Sequence, residues 1–117
     1  MESYITFDDI MEGFRKMAAN NEVVDPQRAL NGAIKLNSLL MGEVERLIVL
    51  EHDVAVMKRD CLARGDTASA AKMNVEASEE YKQMRMQGAR VKNAQELILI
   101  VKKNATLTSE LMRSALA

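Results

Sequence analysis

His52 is the single histidine of the chain and sits in Glu51-His52-Asp53. A general base or metal ligand needs partners on its own face, and successive helix residues point about 100° apart, so these neighbours do not converge. Elsewhere no His-x-x-x-His, Glu-x-x-His or Cys-x-x-Cys spacing supplies a ligand set. Cys61 would act as a nucleophile only beside a base, and its place in an apolar column gives it the role of a small packing residue. The five glycines are scattered and form no loop able to cradle phosphate. The carboxylate pairs Asp8-Asp9 and Glu79-Glu80 fall near helix starts or on exposed faces, where structural roles are the commoner ones. These residues support no catalytic, metal or cofactor site, and the expected class is non-enzymatic.

Charge is the remaining source of chemistry. The 117-residue chain carries a formal charge of −1, which gives no overall pull toward nucleic acid or an anionic membrane. Its distribution is uneven: −4 over residues 1–25, +1 over 26–65, −3 over 66–80, +5 over 81–103 and zero beyond. Lys82, Arg85, Arg90, Lys92, Lys102 and Lys103 make the basic stretch. They read as a solvated face complementing an acidic neighbour, or as candidate phosphate contacts.

The elements that would position these groups are helical. Aromatic side chains, which supply much of an ordinary core, are limited to Phe7, Phe14, Tyr4 and Tyr81; Met, Leu, Ile, Val and Ala carry the apolar content, and 28% of residues are charged. A lone cysteine excludes an internal disulfide and suits a reducing compartment. The acidic start MESYITFDDI is no secretory signal, and the apolar run from Leu97 to Val101 is too short to span a bilayer. A soluble cytoplasmic protein is expected, in a host's cytoplasm if the chain is viral.

Thr6, followed by Asp8 and Asp9, predicts a short helix over about residues 6–20 with Phe7, Ile10, Met11, Phe14 and Met17 on one face, ended by Asn20-Asn21. Asp25-Pro26 is a strong start signal, because Pro at the first helical position loses no hydrogen bond. Patterning then runs to Arg64, and Gly65 provides the left-handed residue that closes many helices. Asp66 or Thr67 caps the next stretch, which runs to Lys103. So short a connection makes the two arms antiparallel. The expected fold is all-α, a single domain: a long coiled-coil-like hairpin of arms 26–64 and 67–103, flanked by the first helix and a last one over 107–116.

The arms carry matching columns. Ala33, Leu40, Leu47, Val54 and Cys61 recur every seven residues in the first, and Ala70, Ala77, Met84, Val91 and Ile98 do so in the second. Folding at Gly65-Asp66 sets Cys61 against Ala70, Val54 against Ala77, Leu47 against Met84, Leu40 against Val91 and Ala33 against Ile98. Gly42 and Gly88 fall at nearly one level, which suggests close backbone approach.

One seam suffices for a hairpin, yet Ile34, Met41, Ile48, Ala55 and Leu62 form a second heptad column, widened by Leu36, Leu50 and Met57. The first helix and the last, with Leu107, Leu111, Met112 and Leu116, can cover the open end. The stretch from Leu40 to Arg64, on the order of 37 Å at ~1.5 Å per residue, lies beyond their reach. The second column, with Leu50 and Met57, is therefore the expected interface of a homo-oligomer.

Three functions follow. The first is an assembly, scaffold or adaptor protein whose partner is itself. The second is a DNA-packaging or DNA-handling accessory, in which an oligomer repeats the basic stretch and binds DNA without sequence preference. In the order of its helices the chain resembles the small terminase subunits of tailed phages, some of which are rings built on long helical hairpins. That resemblance carries no residue motif and assigns no site, and residues 1–25 hold only one helix where a helix-turn-helix reader needs more. The third is a chaperone or export partner whose methionines, Met41 and Met57 on one arm and Met73, Met84 and Met86 on the other, line a groove for another protein's helix.

Overall fold

Thr6 opens α1 (Phe7–Ala19) by a reciprocal exchange with Asp9. The Asp9 amide donates to Thr6 Oγ1 at 3.2 Å, and the Thr6 amide to Asp9 Oδ2 at 3.0 Å. Two donors that a helix start leaves open are thereby satisfied. The Thr6 backbone bond, with the Thr6 hydroxyl behind it, holds the Asp9 carboxyl below its ordinary value.

The computed structural model describes residues 6–19 and 26–116, and among these the regular elements are all helices, with no strand. After α1 come α2 (Pro26–Ala63), α3 (Ala68–Glu76) and α4 (Glu79–Leu116). The fold is the expected all-α helical hairpin. The cap assigned to Asp25 and the stop assigned to Asn20-Asn21 lie outside the described residues.

The turn after α2 is built as its sequence dictates. Gly65 takes φ 101°, the Gly65 amide donates to the Leu62 carbonyl at 3.1 Å, and the Asp66 amide to the Cys61 carbonyl at 3.1 Å. These two bonds are the Schellman pattern, which requires a left-handed residue where Gly65 stands. Thr67 then caps α3, its Oγ1 accepting from the Ala70 amide at 3.1 Å. Asp66 accepts from Arg64 within the turn at 2.8 Å and from Asn74 of α3 at 3.3 Å, tying the turn to the helix that follows. The Arg64 hydrogen bond is the main reason its carboxyl lies below the ordinary value.

Two helix boundaries depart from expectation. The second arm is interrupted: α3 ends at Glu76, Ala77 caps it, and Ser78 starts α4 by accepting from the Tyr81 amide at 3.1 Å while donating to the Val75 carbonyl at 2.5 Å. Conversely, no separate last helix begins after Thr106, because α4 continues to Leu116. The Thr106 hydroxyl donates back to the Lys102 carbonyl at 3.0 Å, which fits a residue inside a helix and leaves it no capping role.

The chain divides into two compact units, one of residues up to Met41 with those from Asn93 on, the other Gly42–Lys92. In the first, the buried set is Phe7 of α1, Ala33, Leu36 and Leu40 of α2, and Ala94, Ile98 and Val101 of α4. Phe14 reaches α2 where Gly32 stands: a Cβ there would lie 2.9 Å from the end of its ring, so the missing side chain is what admits the aromatic. Leu107, Leu111 and Met112, expected to cover apolar surface, stay 47–71% exposed because they continue along α4. The second unit is the loop end of the hairpin. Its core joins Cys61 to Ala71 and Val75, with Val54, Met57 and Tyr81 packed against them.

Candidate functional site

A helix in an antiparallel pair buries two columns, and the second column of each arm is what the sequence reading lacked. Of the expected seam, Ala33, Leu40, Cys61, Val91 and Ile98 are buried, and Leu47, Val54, Ala70 and Met84 are half-buried. Ala77 is exposed, since the break between α3 and α4 turns it outward as a cap. The companion column of α2 holds Leu36, Glu43, Leu50 and Met57, and that of α4 holds Gln87, Ala94 and Val101, all buried or half-buried. Two of the proposed interface residues thus have other work. Met57 packs on the Cys61–Ala71–Val75 cluster of its own chain, and Leu50, one heptad before it, is half-buried. The Gly42 and Gly88 expectation also fails. A Cβ on Gly42 would meet nothing within 4 Å, and one on Gly88 would meet only Leu47 Cδ1 at 3.9 Å.

Polar residues occupy one layer of the seam in the Gly42–Lys92 unit. Glu43 accepts from Arg90 Nε and a terminal guanidinium nitrogen, both at 3.0 Å, and from Gln87 Nε2 at 2.7 Å. Gln87, only 5% exposed, also donates to the Glu43 carbonyl at 2.8 Å. The Arg90 bonds hold the Glu43 carboxyl below its ordinary value against the opposing effect of burial, with Gln87 and the charge of Arg46 adding to them. A two-pronged guanidinium on a carboxylate fixes both distance and orientation. These bonds are satisfied together in the observed register of α4 on α2, and sliding either arm by a turn would separate the carboxylate from the guanidinium. The layer also corrects the reading of Arg90, whose guanidinium is engaged by Glu43 and was expected among the phosphate contacts.

The other basic residues face solvent. Lys82, Arg85 and Lys92 are exposed, Arg85 lying 6.0 Å over the Tyr81 ring, and so are Lys102 and Lys103. His52 is exposed on α2, and Cys61 is a buried free thiol. Among the described residues no group of three or more His, Cys, Asp and Glu could hold a metal ion. No helix among them is long and apolar enough to cross a membrane. A hollow of about 390 Å³ between α1 and α2 is lined by Ile10, Phe14 and Met17 together with Arg28 and Lys35.

The second heptad column of α2 is left uncovered. Ile34 is 62% exposed, Met41 69%, Ile48 60% and Leu62 45%, and Ala55 between them is exposed as well. Val49 is exposed too, but as the residue after Ile48 it points about 100° away from this column. Scattered apolar residues on a surface are ordinary; Ile34, Met41, Ile48 and Leu62, with Ala55 in the one gap between them, keep a seven-residue spacing along one helix. Among the methionines assigned to a groove, Met57 and Met84 sit inside the hairpin, while Met41, Met73 and Met86 are exposed. No protein-family model, curated protein or solved structure matches this chain.

Proposed function

We propose that the chain is a non-enzymatic assembly protein, a helical hairpin that joins copies of itself and serves as a scaffold or adaptor. The observation that carries this is the exposed column Ile34, Met41, Ile48, Ala55 and Leu62 on α2. Full burial of such side chains contributes about 1.5–3 kcal/mol each. With roughly half of each still exposed, covering the four large ones on two copies yields on the order of 8 kcal/mol before costs. Association itself costs about 4–15 kcal/mol. At the low end of that cost about 4 kcal/mol remains, a dissociation constant near millimolar, so the stripe supports weak, reversible assembly and not a permanent oligomer. Replacing Met41 and Ile48 with Lys should leave the helical content unchanged and reduce the mass in solution to that of one chain. Unchanged mass in this variant would count against the stripe as the interface.

A second reading keeps a specific observation of its own. Lys82, Arg85 and Lys92 recur on one exposed face of α4 at spacings of three and seven. Repeated by assembly, this face would bind the phosphates of DNA without reading sequence. Duplex binding at low salt that falls steeply with added salt supports this use; absence of binding at low salt removes it.

A further inference from the structure

The charges flanking the exposed column tell in which direction two copies pack. On α2 the residues Glu45, His52 and Arg59 form a heptad column beside Ile48 and Ala55, and all three are exposed. Along the other flank run Val44, Glu51 and Lys58. Arg59 is 76% exposed and touches Asp60 only at 3.9 Å, so its charge remains available. In a pair of helices joined through Ile48 and Ala55, a twofold axis across the helices brings each flank against the same flank of the other copy. An axis along the helices brings it against the opposite flank.

We infer that two copies pack antiparallel through α2, about an axis that crosses the helix between Ile48 and Ala55, with Glu45 of each copy facing Arg59 of the other. This rests on the self-association reading above and adds its geometry. In that register Ile48 meets the second copy's Ala55, and the Glu45–Arg59 contact forms twice. On the opposite flank the same axis brings Glu51 toward its own copy, one like-charge contact against two favourable ones. A parallel, in-register pair sets Arg59 beside the second copy's Lys58 and gives Glu45 no cation. Opposite charges at the rim of an interface select orientation more than they add affinity, and the surrounding charges here select the antiparallel one. His52 lies on the axis, facing its own copy.

Two cysteine variants of the full chain separate the possibilities, each made with Cys61→Ala so that the native thiol does not interfere. Seven helical residues span about 10 Å, farther than the ~4.4–6.8 Å between Cα atoms that a disulfide bridges. Ile48→Cys and Ala55→Cys should therefore cross-link with each other in an equal mixture under mild oxidation, and neither should cross-link with itself. Self-linking of each variant, or oligomeric mass with no link in the mixture, overturns the antiparallel geometry while leaving self-association standing. A mass of one chain throughout overturns both. As an independent check, Glu45→Arg alone and Arg59→Glu alone should each weaken association about tenfold. The two changes in one chain should restore it to within about threefold. Tighter association of the Arg59→Glu variant would speak for the parallel pair and against this proposal.

Discussion

Removing the Glu43 side chain tests whether the polar layer of the seam positions the two arms. In Glu43→Ala, Arg90 loses both of its 3.0 Å bonds and Gln87 loses the 2.7 Å one, while Gln87 keeps its bond to the residue 43 carbonyl. Hydrogen bonds to a charged group contribute about 1.5–3 kcal/mol each when buried. The Arg90 side chain is 34% exposed and the Glu43 side chain 17%, so water recovers part of that loss. A net destabilisation of about 2 kcal/mol follows, or a fall of about 1 M in the urea midpoint at a typical slope. Measured at one fixed protein concentration, the cycle of Glu43→Ala, Arg90→Ala and both should give a coupling of about 1–2 kcal/mol. The folded-state carboxyl lies below its ordinary value. Its contribution is therefore fully present above the unfolded value near pH ~4.3 and is lost as pH falls through the lower folded value. Glu43→Ala should lose that part of the acid sensitivity. A coupling below about 0.3 kcal/mol, within the error of simple additivity, would refute a register role for this layer.

Other substitutions probe the remaining elements. Leu36 is wholly buried in the first unit, and Leu36→Ala should cost about 2–5 kcal/mol in denaturant unfolding. Gly42 is helical with open space where a Cβ would stand, so Gly42→Ala should raise stability by about 1 kcal/mol, seen as a higher midpoint. Ser78→Ala removes the acceptor of the Tyr81 amide at the start of α4 and should cost about 1 kcal/mol, with faster hydrogen exchange at Tyr81.

The parts of the fold that were legible in the sequence are those written in local chemistry. Thr6 with Asp9, Gly65 and Thr67 each occupy a position whose hydrogen bonds need that residue type, and each was readable as a start or a stop. The break at Ala77-Ser78 was equally local: Ser followed by Glu79-Glu80 is a start signal, masked by a heptad column that runs through it. Thr106 shows the converse, since a hydroxyl that suits a cap also suits a back-bond inside a helix, and α4 takes the second option.

The candidate surface divides in the same way. Single heptad columns revealed which residues were apolar at regular spacing, but not how many columns an antiparallel pair consumes. Spacing alone sets Leu50 and Met57 on the outer surface, whereas Met57 packs within the hairpin. The Glu43–Gln87–Arg90 layer stayed hidden because residues 44 and 47 apart in sequence carry no periodic signal and read as ordinary helix-surface polarity until the arms are brought together.

Self-association requires that further copies of the chain cover the apolar column left on α2. Light scattering with mass analysis, run on the full chain from micromolar to millimolar concentration, checks this. The mass should rise with concentration to a multiple of 13.1 kDa. A constant mass of one chain across that range would contradict it.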